Sequence, residues 1–284
     1  MRAALLKNSN ARSVDSVPFT PTHILATIPI ARVWNRPAAV AGLVIGSMIP
    51  DWPLYIPVGP DYAQTHTFSG IILACLPLGL FVTMIYLVFL RQPLFELLPL
   101  GLRQRLVPYH ENRNNFDALS LLHIAAAVSV GALTHIVWDA FTHGNAWGVA
   151  MIPETREIWL SVTGVKFPGY MVLQHGSSVI GLPLLTLLFV IWYRKATVNS
   201  PAATIISVPT RVAWSVLIAG IPLGVLVKQL IDVERVALWP ILKALYYGAT
   251  SSGFVLVVLV ACYGLLFYPV VRYRVRRNHH VPKN

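Results

Sequence analysis

Charged residues are scarce in this chain. They make up 12% of its 284 residues, about half of the fraction that is typical of a soluble domain. Hydrophobic residues account for 56%, the mean hydropathy is +0.63, and several apolar runs reach the roughly 20 residues that a helix needs to cross a bilayer. This composition excludes an ordinary soluble domain and predicts an all-α, polytopic membrane helix bundle that forms a single domain.

Cysteines and acidic residues are also few. The two cysteines, Cys75 and Cys262, fall in different apolar runs, which excludes a disulfide framework and favours small core residues. Eleven acidic residues stand against 22 basic ones, giving a net charge of +11. In a membrane protein this excess belongs first to cytoplasmic loops. Because the basic residues are scattered among loop ends, we do not expect nucleic-acid binding.

The apolar runs divide the chain into a central membrane domain and two tails. Residues 1–17 lack the apolar run of a signal peptide and are expected to form a flexible polar tail. Residues 18–271 would form the membrane domain, and residues 272–284 a basic C-terminal tail. The five predicted spans are Ile71–Leu90, Leu119–Phe141, Met171–Tyr193, Val212–Ile231 and Gly248–Tyr268. The segments expected to be loops include Trp52–Thr67, Arg91–Asp117 and Gly144–Gly169.

Two shorter apolar segments precede the first span. Ile24–Val33 and Ala38–Ile49 are each too short to cross a bilayer, and a proline-containing break separates them. They predict a short N-terminal helical hairpin. Such a hairpin brings His23, at the start of its first helix, to the level of Asp51, at the end of its second.

The distribution of basic residues predicts the orientation of the spans. Twelve Lys and Arg residues lie in 91–117, in 194–211 and in the C-terminal segment from 269, against five in the segments of the opposite side. The positive-inside bias therefore places the first set, with the C-terminus, on the cytoplasmic side of a bacterial inner membrane. In that orientation the second span ends at the outer face, where the first and third spans begin.

The segment Thr134–His143 places an Asp and two His residues near the end of the second span. At helical pitch, positions i, i+4 and i+8 advance by only about 40° per step, so His135, Asp139 and His143 share one narrow face. Ionisable residues inside a membrane span are costly, so they face the bundle interior and usually mark a functional site.

Other His and Asp residues are expected to reach the same end of the bundle. The candidate metal ligands are His23, Asp51, His66, His135, Asp139, His143 and His175. Imidazole and carboxylate ligands without a thiolate suit Zn²⁺, Mn²⁺ or Fe²⁺. Seven ligands are too many for one tetrahedral ion but suit two ions, with Asp51 or Asp139 as the bridging, catalytic carboxylate.

These residues also have structural interpretations. His135 and Asp139 could form an ion pair that joins two helices, and His23, Asp51 and His66 lie at segment ends, where polar residues are common. The candidate functions are accordingly a metal-dependent hydrolase, a non-enzymatic metal-binding or transport protein, and a structural membrane protein. A transporter should place polar groups at several depths, whereas here they gather at one end of the spans, which favours the hydrolase.

Four motifs resemble those of the bacterial membrane proteins of the domain of unknown function 4184 (DUF4184) family. They are Val17-Pro-Phe-Thr-Pro-Thr-His23, Gly46-Ser-Met-Ile-Pro-Asp51, His66-Thr-Phe-Ser69 and Leu133-Thr-His-Ile-Val-Trp-Asp-Ala-Phe-Thr-His143. The likeness covers most of the chain from Pro18 into its second half. This family is similar in turn to membrane-bound metal-dependent hydrolases, which share a Pro-Asp, a later His and a His-x-x-x-Asp.

A more distant likeness is to zinc-dependent phospholipases C and single-strand nucleases. Their ligand order, His, Asp, His, His-x-x-x-Asp, His and His-x-x-x-Glu/Asp, is matched here through His143. The pattern departs after His175, because Val179 stands where a carboxylate would be. The resemblance implies one or two zinc ions and phosphoester hydrolysis. For a site at headgroup depth, the expected substrate is a membrane lipid or a lipid-linked phosphoester.

Overall fold

The computed structural model describes residues 20–34, 36–111, 116–200, 204–233 and 238–279. Within these residues the chain forms eleven helices, one β-hairpin and three short 3-10 turns. The helices are α1 (Ile24–Ala31), α2 (Pro37–Gly46), α3 (Trp52–Tyr55), α4 (Tyr62–Thr65), α5 (Phe68–Leu97), α6 (Leu100–Glu111), α7 (Ala118–Thr142), α8 (Trp147–Met151), α9 (Gly169–Lys195), α10 (Val208–Ile231) and α11 (Leu238–His279). The antiparallel hairpin consists of β1 (Ile158–Val162) and β2 (Val165–Pro168), and the turns are Thr20–His23, Ile49–Asp51 and Pro153–Arg156.

Five of these helices are long and apolar enough to cross a membrane. They are α5, α7, α9, α10 and the part of α11 from Pro240 to Val271. In addition, α2 and Ile49–Tyr55 together pass the same test but are bent by 44° at the break between them, as in a broken span or a re-entrant loop. The prediction of an all-α polytopic bundle with five spans and an N-terminal helical hairpin is confirmed.

The helices extend beyond the apolar runs that predicted them. The first span, α5, starts before Ile71, continues past Leu90 and contains two π-helical segments, Ile71–Cys75 and Tyr86–Leu90. The last helix, α11, runs on to His279 and so includes part of the predicted basic tail. Hydrophobicity marks only the part of a helix that suits the bilayer core, so polar turns at either end escape it. The predicted N-terminal tail, 1–17, lies outside the described residues.

The prediction of three loops between residues 52 and 169 is wrong, because each contains regular structure. The first holds α3 and α4, the second holds the end of α5 and α6, and the third holds α8 and the β-hairpin. Helix α4 begins with a capping box, in which Asp61 and Gln64 each accept a hydrogen bond from the backbone N–H of the other. The hairpin turns at Thr163 and Gly164, whose φ angles are 50° and 83°, as a two-residue turn between β-strands requires.

The two cysteines have different environments. Cys75 is buried on α5, and its thiol lies 3.4 Å from the carbonyl oxygen of Thr65 as a donor. Cys262 is exposed on α11, so the prediction of a second core cysteine is wrong. An apolar run that spans a bilayer has a lipid-facing side as well as a buried one, and the sequence does not separate them here.

The centre of the bundle is the crossing of α2 with α7. A Cβ atom on Gly46 would collide with the backbone of Val128, and one on Gly131 would collide with the backbone of Leu43 and Ser47. Small residues allow two membrane helices to approach closely. Around this contact Leu43, Val128 and their neighbours on α7 are fully buried. The crossing therefore holds the end of α2, and the Ile49–Asp51 turn that follows it, against α7.

Helix directions bring the polar segments to one end of the bundle. Helix α5 begins two residues after His66, α7 ends at Thr142, and α9 begins at Gly169. The side chain of Gln174, in the second turn of α9, lies 3.4 Å from His143. The beginning of α5, the end of α7 and the beginning of α9 therefore share one end of the molecule.

Candidate metal centre

Four segments deliver the side chains of the site. The Thr20–His23 turn supplies His23, and the Ile49–Asp51 turn supplies Asp51. His66 directly follows α4, and His135 and Asp139 lie one turn apart on α7. His23, Asp51, His135 and Asp139 are at most 4% exposed. The structure thus brings together five of the residues that the sequence nominated.

A group of four of these residues could hold a metal ion. One ligand atom from each of Asp51, His66, His135 and Asp139 lies within 4.8 Å of all the others. His66 Nε2 is 3.6 Å from Asp51 Oδ1 and 3.5 Å from Asp139 Oδ2. His135 Nε2 is 3.5 Å and 3.2 Å from the same two oxygens. With bonds of about 2.0 Å, the ligand atoms of a tetrahedral zinc site are about 3.3 Å apart, so these separations fit such a site.

Backbone carbonyl groups fix the tautomer of two of the imidazoles. Nδ1 of His135 lies 2.8 Å from the carbonyl oxygen of Ser47, and Nδ1 of His66 lies 3.0 Å from that of Tyr62. A carbonyl oxygen only accepts, so each Nδ1 carries a proton and Nε2 is the nitrogen directed at the carboxylates. This arrangement is common for histidines that bind metal ions.

A hydroxyl pair orients Asp51. Thr20 Oγ1 donates a hydrogen bond of 2.6 Å to Asp51 Oδ2, and Tyr55 OH is 2.7 Å from the same Thr20 hydroxyl. The second oxygen, Oδ1, remains directed at His66 and His135. Asp51 therefore has one carboxylate oxygen free to bind a metal ion, whereas Asp139 has two.

The most informative feature is a set of buried polar atoms without hydrogen-bond partners. They are Nδ1 and Nε2 of His23, Oδ1 of Asp51, Nε2 of His66, Nε2 of His135 and both carboxylate oxygens of Asp139. Burying one such atom without a partner costs about 1–3 kcal/mol, and more for a charged group. Six of them, all but Nδ1 of His23, face one another at 3.2–3.6 Å, and a divalent cation would satisfy nitrogen and oxygen lone pairs together. The donor set therefore fits a metal ion.

His23 approaches this group from the side of Asp139. Its Nε2 is 3.6 Å from Asp139 Oδ1, and its ring stacks on that of His135 with centroids 3.8 Å apart. Burial lowers the pKa of His23 to about 3, with the nearby His135 acting in the same direction. The imidazole is therefore neutral, as a metal ligand must be.

The neighbouring carboxylates act on His66 in the opposite direction. Burial alone would lower its pKa, but the carboxylates of Asp139 and Asp51, 3.5 Å and 3.6 Å from Nε2, outweigh burial and raise it. Without a metal ion, these carboxylates favour a protonated His66. A metal ion that binds there must displace that proton.

His143 lies at the edge of the site. It directly follows α7, as its expected position at the helix end implied, and its Nδ1 is 3.7 Å from Asp139 Oδ2 and 3.1 Å from the Asp139 carbonyl oxygen. Its Nε2 lies 3.4 Å from the side-chain amide of Gln174. Both nitrogens thus have protein neighbours, and a role of His143 as a metal ligand stays a prediction.

The third span contributes Gln174 at this edge. Gln174 is 1% exposed, whereas the ring contact recorded for His175 is with Phe167, at 6.0 Å between centroids. The group of four that could hold a metal ion does not include His175, and the ligand role of His175 stays a prediction. Sequence reasoning did not place Gln174, Thr20 or Tyr55 at the site. Thr20 could have been found from the sequence, because it lies in the Thr-Pro-Thr-His motif.

A comparison with protein families agrees with the motifs. A family model described as "Domain of unknown function (DUF4184)" matches residues 17–270. Neither the curated proteins nor the solved structures contain a match to the chain. The suggested relation to metal-dependent hydrolases and to phospholipases C therefore stays a prediction from the motifs.

Proposed function

Because the chain belongs to the DUF4184 family, whose function is unknown, we propose its activity from the site: a membrane-embedded, metal-dependent hydrolase of phosphoesters. The observation that supports this proposal is the convergence of six unpartnered, buried polar atoms from three His and two Asp residues. A helix-joining ion pair would need only two of these residues, and it would leave the remaining donors and acceptors unsatisfied.

The candidate ligand atoms face the two carboxylate oxygens of Asp139 from two sides. On one side, Asp139 Oδ2 faces Nε2 of His66 and of His135, together with Asp51 Oδ1. On the other side, Asp139 Oδ1 faces His23. We assign Asp139 as the bridging carboxylate of a site for one or two zinc ions, and Asp51 as the second catalytic carboxylate. When bound, zinc supplies Lewis acidity that polarises a phosphoryl oxygen and activates water for attack.

The protein's own groups keep this site rigid. The hydroxyl of Thr20 holds one oxygen of Asp51, so the other oxygen keeps its direction. The carbonyl oxygens of Ser47 and Tyr62 hold the rings of His135 and His66. Preorganised ligands need little rearrangement when charge develops in a transition state.

The substrate class follows from the position of the site along the spans. The site lies where α5 begins and α7 ends, which is the depth of lipid headgroups. The excess of basic residues in the segments of the opposite end supports an orientation with the site at the outer face of a bacterial inner membrane and the C-terminus in the cytoplasm. A membrane lipid or a lipid-linked phosphoester would reach such a site from the bilayer.

Metal analysis of the purified protein tests the first part of the proposal. We expect one or two zinc ions per wild-type chain, and a loss of at least one ion in His135→Ala and in Asp139→Asn. His123→Ala is the matched control, since His123 lies on the same helix with its ring bonded to the carbonyl oxygen of Leu119. Unchanged metal content in both site variants would refute the assignment of the ligands.

Hydrolysis assays test the second part. Wild-type protein in lipid vesicles should release phosphate or a phosphorylated headgroup from a phospholipid, and chelation should stop the release until zinc is restored. The two site variants should be inactive and the His123→Ala control active. Zinc binding without hydrolysis, but with zinc uptake into the vesicles, would favour the transport alternative.

A further inference from the structure

A groove lies at the end of the molecule that is remote from the metal centre. It has a volume of about 610 Å³ and runs between the end of α5, the start of α6 and one face of α10. Leu97 and Leu100 form one wall, and the face of α10 from Val208 to Leu223 forms the other. Helix α5 begins beside the metal centre and is about 44 Å long. The groove is therefore separate from the metal centre.

The groove has the shape and lining of a site for a hydrocarbon chain. Val208 and Leu223 are about 22 Å apart along α10, so the groove is long enough to cross one leaflet, whose apolar part is about 15 Å thick. Its lining is mainly aliphatic, with Ser215 and Arg211 as its polar side chains. Val212 and Val216 are more than half exposed on this face. Because this face of α10 is exposed, it would contact lipid in a membrane.

Arg211 gives the groove a charged end. It lies in the first turn of α10, and its Nη1 atom is buried without a hydrogen-bond partner. Within the part of the chain that the structure describes, Arg211 forms no ion pair with a carboxylate. The carboxylate of Glu96, the residue before Leu97, accepts hydrogen bonds from Ile205 N–H and from Gln92.

A buried guanidinium nitrogen without a partner is costly, and a phosphate group is its best geometric match. The start of α10 adds to this preference, because the free N–H groups of a helix N-terminus favour an anion. An aliphatic groove with a phosphate-seeking cation at one end matches the two parts of a phospholipid. We propose that this groove binds one anionic phospholipid, with its phosphate at Arg211 and an acyl chain along α10.

Two pairs of variants test this site against matched controls. Arg211→Gln removes the charge in the groove, and Arg194→Gln removes an exposed charge in the last turn of α9, outside the groove. Gly220→Phe fills the groove, because a Cβ atom at Gly220 meets no atom within 4 Å. Gly224→Phe makes the same change one turn further on, where there is equal space but no groove.

The experiment is native mass spectrometry of the full chain in detergent, titrated with phosphatidylglycerol or with phosphatidylcholine of the same acyl chains. The wild type should retain one phosphatidylglycerol per chain and bind phosphatidylcholine more weakly. Arg211→Gln should weaken phosphatidylglycerol binding about tenfold, since a charge-assisted hydrogen bond is lost, and Arg211→Lys should restore part of it. Gly220→Phe should also weaken binding, whereas Arg194→Gln and Gly224→Phe should match the wild type.

Three results would overturn the proposal. Equal retention of the two lipids by the wild type would show that the groove does not select an anionic headgroup. Unchanged phosphatidylglycerol binding in Arg211→Gln would remove the assigned phosphate partner. A dimer that dissociates in Gly220→Phe but not in Gly224→Phe would show that a second copy of the chain occupies the groove.

Discussion

Asp139 is the residue on which the candidate site depends most. Four imidazoles lie within 3.7 Å of its carboxylate oxygens, with nitrogen–oxygen distances that start at 3.2 Å. Neither oxygen has a hydrogen-bond partner, although both are buried. A carboxylate that only stabilised the fold would be expected to accept hydrogen bonds, as almost all buried polar groups do. The geometry of Asp139 is therefore that of a ligand.

Removing the hydroxyl group of Thr20 tests how far the site is preorganised. Thr20→Val keeps the shape of the side chain but removes the hydrogen bond of 2.6 Å to Asp51. We expect zinc affinity to fall about 10- to 100-fold, as it does when a partner of a metal ligand is lost. Competition with a zinc-sensitive dye would measure this change.

Thr27→Val is the control for this substitution. Thr27 is equally buried, but its hydroxyl bonds only to the carbonyl oxygen of Ile24 within α1. Zinc affinity should be unchanged in Thr27→Val. If Thr20→Val bound zinc as tightly as the control, the hydroxyl of Thr20 would have no part in holding the ligand.

At this scale the sequence predicted which residues come together but missed their supports. The periodicity of α7 was enough to place His135 and Asp139 on one face, and the hairpin argument brought His23 and Asp51 to their level. Thr20 supports Asp51 across 31 positions of chain. That pairing depends on the angle between the two turns, which residue patterns do not encode.

The crossing of α2 and α7 is the element-scale feature that positions the site. At Gly131 the space that a side chain would need is filled by backbone atoms of Leu43, Gly46 and Ser47. Backbone cannot move aside as a flexible side chain can. The same stretch of α2 ends in the carbonyl oxygen of Ser47 that bonds to His135. Close packing of the two helices and orientation of a candidate ligand are thus coupled.

Gly131→Ala should therefore lower both stability and metal content. An alanine normally stabilises a helix by up to about 1 kcal/mol relative to glycine, but here the overpacking should cost about 1–3 kcal/mol. Thermal unfolding in detergent would measure the loss. Gly176→Ala on α9, where a Cβ atom meets nothing within 4 Å, should be neutral or slightly stabilising. Equal melting temperatures for the two variants would contradict the role of the crossing.

Long apolar helices were easier to predict from the sequence than short or charged ones. The five spans are visible because each is a long apolar run, but α6 is not, since it combines Arg103 and Arg105 with a proline inside the helix. Its position is instead set by tertiary contacts, such as the hydrogen bond from Arg105 to the carbonyl oxygen of Tyr193. Helix α4 could have been found, because Asp61 and Gln64 have the spacing of a capping box.

On the scale of the whole molecule, the five candidate ligands that the structure brings together all come from the part of the chain before residue 140. They join the Thr20–His23 turn, the Ile49–Asp51 turn and His66 to α7. Helices α10 and α11 pack on each other and on α5, and the group of four candidate ligands includes none of their residues. A metal ion would thus link the N-terminal segments to the central span without touching the last two helices.

Metal removal should therefore destabilise one part of the molecule and leave another unchanged. A metal ion present at 100 times its dissociation constant stabilises the folded state that binds it by about 2.7 kcal/mol. Chelation removes this stabilisation and leaves two carboxylates close together in a buried site. We expect faster hydrogen exchange, measured by mass spectrometry in detergent, in 20–34 and 47–66, with recovery on adding zinc. Peptides from α10, which packs on α11 and α5, are the internal control. Faster exchange throughout the chain would show that the ion supports the whole fold, and no change in 20–66 would show that these segments do not hold it.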